Sequence, residues 1–134
     1  MKITGFNPQI ITKDPDAVIA TLEALGFERT HSKSGDDAFA FSSVRMKRMK
    51  DGSDTEAFRI DVISAPSNAL ERDLTCIRIN VDDFDAACEL MRSHGAVEAP
   101  GFGTNVTSSS KYTYFTTPSG TFVDICQHIK ENEG

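Results

Sequence analysis

Tryptophan is absent from this 134-residue chain, tyrosine occurs twice and cysteine three times. Cys76, Cys88 and Cys126 are an odd number without a tight spacing motif. A disulfide framework is therefore not expected, and a reducing cytoplasm is the default compartment. No apolar run approaches the roughly 20 residues that a membrane helix needs. The opening stretch, MKITGFNPQIIT, lacks the architecture of a signal peptide, so Asn105-Val106-Thr107 carries no meaning as a glycosylation sequon. Large basic blocks are also missing, and the formal net charge is −6. That argues against a nucleic-acid binder, which usually shows a clustered basic face. It favours solubility and says little about fold.

What remains is ordinary globular composition, 39% apolar and 25% charged, in a chain long enough to bury one real core. A repeat lies within it. Asp14-Pro15-Asp16-Ala17 opens an amphipathic stretch that ends at Gly26, and Asp83-Phe84-Asp85-Ala86 opens another that ends at Gly95. The two Asp residues are 69 positions apart, and so are the two Gly residues. Both stretches read as helices. Asp14 and Asp83 suit the N-cap, where a carboxylate accepts free backbone N–H groups. Pro15 suits the first helical position, and Gly26 and Gly95 suit the left-handed residue after the last turn. Val18, Ile19, Leu22 and Leu25 line one face of the first helix, and Ala86, Ala87, Leu90 and Met91 line the second.

A short strand precedes each helix, at about Asn7–Thr12 and Cys76–Val81. Extended segments follow the first at about Glu28–Lys33, Ala38–Lys47 and Ala57–Ser64, separated by turns at Ser34-Gly35-Asp36 and Asp51-Gly52-Ser53. After the second they fall at about Ala96–Glu98, Lys111–Thr117 and Thr121–His128, with a turn at Pro118-Ser119-Gly120. Residues 65–73 link the halves. Gly101–Ser110, rich in Gly, Ser and Thr, reads as a loop, either an inert connection or a lid. The fold class is α+β: two tandem βαβββ modules, about 5–64 and 74–130, in one domain. They form a curved mixed sheet around a cavity, with the helices outside. The pattern alone also permits a ferredoxin-like sandwich.

Four segments narrow the choice: Asn7–Gly26, Arg59-Ile60-Asp61-Val62, Cys76–Gly95, and the closing run Tyr114–Asp124 with its Pro118-Ser119-Gly120 turn. In order and spacing, over nearly the whole chain, they resemble the vicinal-oxygen-chelate superfamily of glyoxalases, ring-cleaving dioxygenases and antibiotic-resistance proteins. The resemblance implies a divalent-metal position with one side chain from each of four strands. These positions fall on Asn7, Asp61, Cys76 and Asp124. The usual types there are His or Gln and Glu, so all four depart from the pattern. Asp reaches about one methylene less than Glu, against metal–oxygen distances near ~2.0–2.2 Å. A lone thiol among oxygens suits no common hard-cation site. No cofactor is therefore expected, with a divalent metal as the alternative.

Strand alternation extends the inward set. Gln9 and Ile11 go with Asn7; Arg78 and Asn80 with Cys76; Arg59 and Ile63 with Asp61; Phe122 and Cys126 with Asp124. Tyr112, Tyr114 and Thr116 share the inward face of the neighbouring strand. Ile10, Ile60, Val62, Ile77, Ile79, Val81, Val123 and Ile125 then face the helices. Buried Arg and Asp need partners, so Arg78 pairs with Asp124 or Asp61 and Arg59 with a neighbour, unless Arg78 meets an anionic ligand bidentately. The ligand-binding set is Gln9, Arg59, Arg78, Tyr112, Tyr114 and Phe122; Gln9 and Tyr114 match contact positions implied by the resemblance to fosfomycin-resistance proteins. Cys76 is either an inert buried thiol or one activated by Arg78. His31, His94 and His128 match no ligand spacing, and His94 suits a helix C-terminus. Arg45, Lys47, Arg48 and Lys50 read as a solvated basic strand edge that discourages pairing.

These residues point to a cytoplasmic protein that binds a small, possibly anionic, molecule without metal. One alternative is a metal-dependent lyase, isomerase or dioxygenase. Another is a scaffold acting through its surface. The resemblance further implies a C2 homodimer, with neither nucleic acid nor membrane as partner.

Overall fold

The computed structural model describes residues 1–33, 42–65, 70–99, 104–107 and 109–129. The expected turn at Ser34-Gly35-Asp36 and residues 66–69 of the linker lie outside them. Among the described residues, two helices and nine strands form a mixed α+β fold: β1 (Ile3–Thr12), α1 (Pro15–Ala24), β2 (Glu28–Lys33), β3 (Ser42–Met49), β4 (Ala57–Ser64), β5 (Leu74–Val81), α2 (Phe84–Ser93), β6 (Val97–Glu98), β7 (Thr104–Val106), β8 (Ser110–Thr116) and β9 (Phe122–His128). They divide into two compact units, residues 7–75 and residues 1–6 with 76–134.

In the unit of residues 7–75 the strand order is β2-β3-β4-β1. β3 runs antiparallel to β2 and β4, and β4 runs parallel to β1. A parallel pair needs a crossover, and α1 begins it. Asp14 caps α1 by accepting the Ala17 N–H at 3.2 Å, with Pro15 following. Gly26 ends it at φ 93°, where a side chain would be strained. Ile19 and Leu22 of α1 pack on Met46 and Val62, flanked by Val44 and Ile60. One face of β3 and β4 is thus apolar and covered by α1.

In the other unit the order is β1-β5-β9-β8-β6, with β7 also on β8. The first residues of β1 lie beside the end of β5, where the Asp82 N–H donates to the Lys2 carbonyl at 3.1 Å. β5 and β9 are parallel, and β8 is antiparallel to β9. Asp83 caps α2 through the Ala86 N–H at 3.1 Å. Gln127 of β9 secures the strand-to-helix turn: it accepts from the Phe84 N–H at 2.8 Å and donates to the Asp82 carbonyl at 2.9 Å. Phe84, Ala87 and Cys88 of α2 pack on Val81, Phe115, Val123 and Ile125. His94, the C-cap residue, approaches the Leu90 carbonyl at 3.1 Å through Nδ1.

Three expectations are corrected. Gly101–Ser110 is not wholly a loop: β7 pairs there with β8, Asn105 opposite Tyr112. Ile77 is not covered by α2 but 44% exposed, because a ten-residue helix spans only about 15 Å against roughly 26 Å of β5. β3 is not an edge, since β2 lies outside it. Its basic residues have work: Arg48 donates through Nε to the Leu25 carbonyl at the end of α1 at 3.0 Å, and Lys50 pairs with Glu56 at 2.9 Å.

Candidate functional site

In each unit the sheet face away from the helix carries the polar residues. On residues 7–75 these are Asn7 and Gln9 of β1, Asp61 of β4 and Arg45 of β3. The parallel register sets Gln9 beside Asp61, and the antiparallel register sets Arg45 opposite Asp61. Asp61 is 4% exposed and accepts hydrogen bonds from Arg45 and Asn7. Arg45 gives Nε to Oδ1 at 2.8 Å and a terminal nitrogen to Oδ2 at 3.2 Å, and the Asn7 amide gives a third to Oδ2 at 2.8 Å. This is a bidentate, charge-assisted pair. Gln9 is 1% exposed, and its Oε1 is buried without a hydrogen-bond partner.

The second unit repeats the plan with other chemistry. Arg78 of β5 lies opposite Asp124 of β9, which lies opposite Tyr114 of β8. Half-buried Arg78 donates to Cys126 Sγ at 3.0 Å. The Tyr114 ring stands edge-on to Tyr112 and tilted to Phe122, with centroids 6.0 Å apart in each case. Asn80 presents a buried Oδ1 without a partner.

Burial dominates the titration of this face. It pushes the Tyr114 phenol well above its ordinary range, and the Asp124 charge adds to the effect. Tyr114 is therefore a neutral hydrogen-bonding group near neutral pH and not a phenolate base. Burial, and then Asp124, raise the Cys76 thiol far above the usual range despite Arg78. On α2, burial lifts the Cys88 thiol to about 11. Cys76, Cys88 and Cys126 are all free and buried.

A thiol reagent at pH 8 is expected to titrate none of the three in the native chain and all three after unfolding. The pH dependence follows with a definite sign. The unfolded chain loses the Cys76 proton near pH 8.5, while the native chain keeps it. Stability therefore falls as pH rises above about 8.5, by about 1.4 kcal/mol per pH unit for that thiol. Denaturant titrations at pH 7 and 10 measure the decline; a flat profile contradicts a buried neutral Cys76.

Each expected site residue has a place. Asn7, Gln9 and Asp61 are gathered in one unit; Cys76, Arg78, Tyr112, Tyr114, Phe122 and Asp124 in the other. Arg59 stands apart: it is exposed beside Lys47, and forms no ion pair among the described residues. Asp61 has Arg45 as a counter-ion within its own unit. Arg45 belongs to this face and not to a solvated basic edge, and the repeat marks it. Arg45 and Tyr114 are 69 positions apart, and each lies opposite the Asp of its unit.

The four expected metal positions do not fit a divalent ion as they stand. Both oxygens of Asp61 are engaged by Arg45 and Asn7 donors, and Asn7 turns its nitrogen to Asp61. Among the described residues no group of three or more His, Cys, Asp or Glu side chains could hold a metal.

A family model for the glyoxalase/bleomycin resistance protein/dioxygenase superfamily matches residues 6–125. The chain belongs to that superfamily. Solved superfamily-like structures share its fold. Methylmalonyl-CoA epimerase from Mycobacterium tuberculosis matches with a TM-score of 0.66 at 17% identity, covering 96% of this chain and 91% of that one. A methylmalonyl-CoA epimerase in complex with methylmalonyl-CoA and NH4+ matches at 0.65 and 18%, covering 96% and 97%. The Mn(II)-bound glyoxalase from Novosphingobium aromaticivorans matches at 0.54 and 19%, covering 94% of this chain and 39% of that one. No curated protein matches significantly by sequence.

Proposed function

We propose that this superfamily member binds a small anionic molecule on a polar sheet face, without a metal ion, in a reducing compartment such as the cytoplasm. The observation that carries the reading is Gln9. A 1%-exposed amide whose oxygen has no partner costs about 1–3 kcal/mol. Residues kept at such a cost commonly serve a ligand. On residues 7–75 Gln9 offers an acceptor; on the other unit Asn80 offers an acceptor, and Arg78, Tyr112 and Tyr114 offer donors beside the Phe122 ring. A ligand that suits either face by itself carries an oxyanion together with hydroxyl or N–H donors. One similar structure holds methylmalonyl-CoA, itself an anion, which supports the class and not the identity. Assembly as a C2 homodimer is part of the same proposal.

A thermal-shift screen of small carboxylates, phosphonates and glycopeptide-like drugs identifies the ligand. Gln9→Met then separates structure from function. It removes the unpaired amide at similar volume, so stability is expected to rise by about 1 kcal/mol while affinity for the screened anion falls. If Gln9→Met destabilises the chain and leaves affinity unchanged, Gln9 is an ordinary core residue and the reading fails.

A further inference from the structure

We propose that the Arg45 guanidinium is the resident cation of the Asp61 site, closing to metal the position where the superfamily pattern would place a ligand of a divalent ion. Three observations carry this. Arg45 reaches both Asp61 oxygens, at 2.8 and 3.2 Å. Asn7 adds a donor N–H at 2.8 Å, so both of these side chains meet the carboxylate with positive charge or a hydrogen-bond donor. A divalent ion needs carboxylate oxygens at about 2.0–2.6 Å, and at Asp61 it would have to displace the guanidinium. On the neighbouring strand, beside Asp61 in register, Gln9 holds an unpartnered buried oxygen. Without Arg45, the Asp61 and Gln9 oxygens would form a hard-donor set of the kind Mn2+ or Mg2+ takes. The native chain therefore carries a fixed single charge with directional N–H donors in place of an exchangeable ion. The inference stands apart from the anion-binding reading, because its test uses no ligand.

The test compares the chelator-treated native chain, Arg45→Ala and Arg45→Ala/Asp61→Asn. Free Mn2+ is followed by electron paramagnetic resonance, and thermal melts are run in methylguanidinium chloride against equal sodium chloride. Arg45→Ala is expected to gain stoichiometric Mn2+ binding or a methylguanidinium-induced rise in melting temperature, neither shown by the native chain, and to lose it with Asp61→Asn. Mn2+ uptake by the native chain that Asp61→Asn abolishes overturns the inference, as does a folded Arg45→Ala that responds to neither cation. Should Arg45→Ala fail to fold, Arg45→Lys and Arg45→Met decide. Melting nearer to native in the lysine variant supports a cation at Asp61; equal melting of the two overturns it.

Discussion

Asp61→Ala is expected to destabilise the chain by about 3–5 kcal/mol, measured by denaturant unfolding. The carboxylate is 5% exposed at its side chain, and its partner Arg45 is 33% exposed. Removing the acid leaves a guanidinium and the Asn7 amide facing a vacancy, with three donated hydrogen bonds lost. The cost arises mainly from the stranded charge, and not from net attraction within the pair. Two salt-bridge partners removed together leave no such charge. Arg45→Met/Asp61→Leu is therefore expected to recover most of the loss, giving a large coupling energy in the double-mutant cycle. Additive losses would show that the pair behaves as a solvent-screened surface bridge.

Phe115→Ala is expected to cost about 3–5 kcal/mol. Phe115 is fully buried in the cluster beneath α2, with the Arg92 guanidinium 5.8 Å from its ring centroid. It also holds the register of β8. Its neighbour Tyr114 projects to the opposite face, and a one-residue slip would exchange the two. The variant should therefore weaken anion binding as well as lower the denaturation midpoint. Unchanged binding in a destabilised Phe115→Ala would show that β8 keeps its register without this anchor.

The repeat explains why so much of the fold was legible. Capping Asp, terminal Gly and aliphatic alternation act locally, and the capping Asp and terminal Gly recur 69 positions later. β2 and β4 were placed at their observed bounds, Glu28–Lys33 and Ala57–Ser64, because turn residues flank them. β7 was not legible: three residues in a Gly/Ser/Thr-rich stretch carry no periodicity, and pairing with β8 alone makes them a strand. Ile77 failed for a reason of length, since alternation assigns a face but not how far a helix covers it. Arg59 shares the parity of Asp61, yet two residues of strand separate a buried position from an exposed one.

Arg45 is the instructive case within the candidate site. Read with Lys47, Arg48 and Lys50 it looked like solvated charge. Its role depends on β3 lying between β2 and β4 and on an antiparallel register with Asp61, which are long-range facts. The repeat offset was nonetheless sufficient to pair it with Tyr114.

Calorimetric titration of chelator-treated protein, using the anion that gives the largest thermal shift, tests metal-independent anion binding most directly. Saturable binding indifferent to chelator and weakened in Arg78→Met is the predicted result. Binding that appears only once Mn2+ or another divalent ion is restored, and is untouched by Arg78→Met, would contradict it.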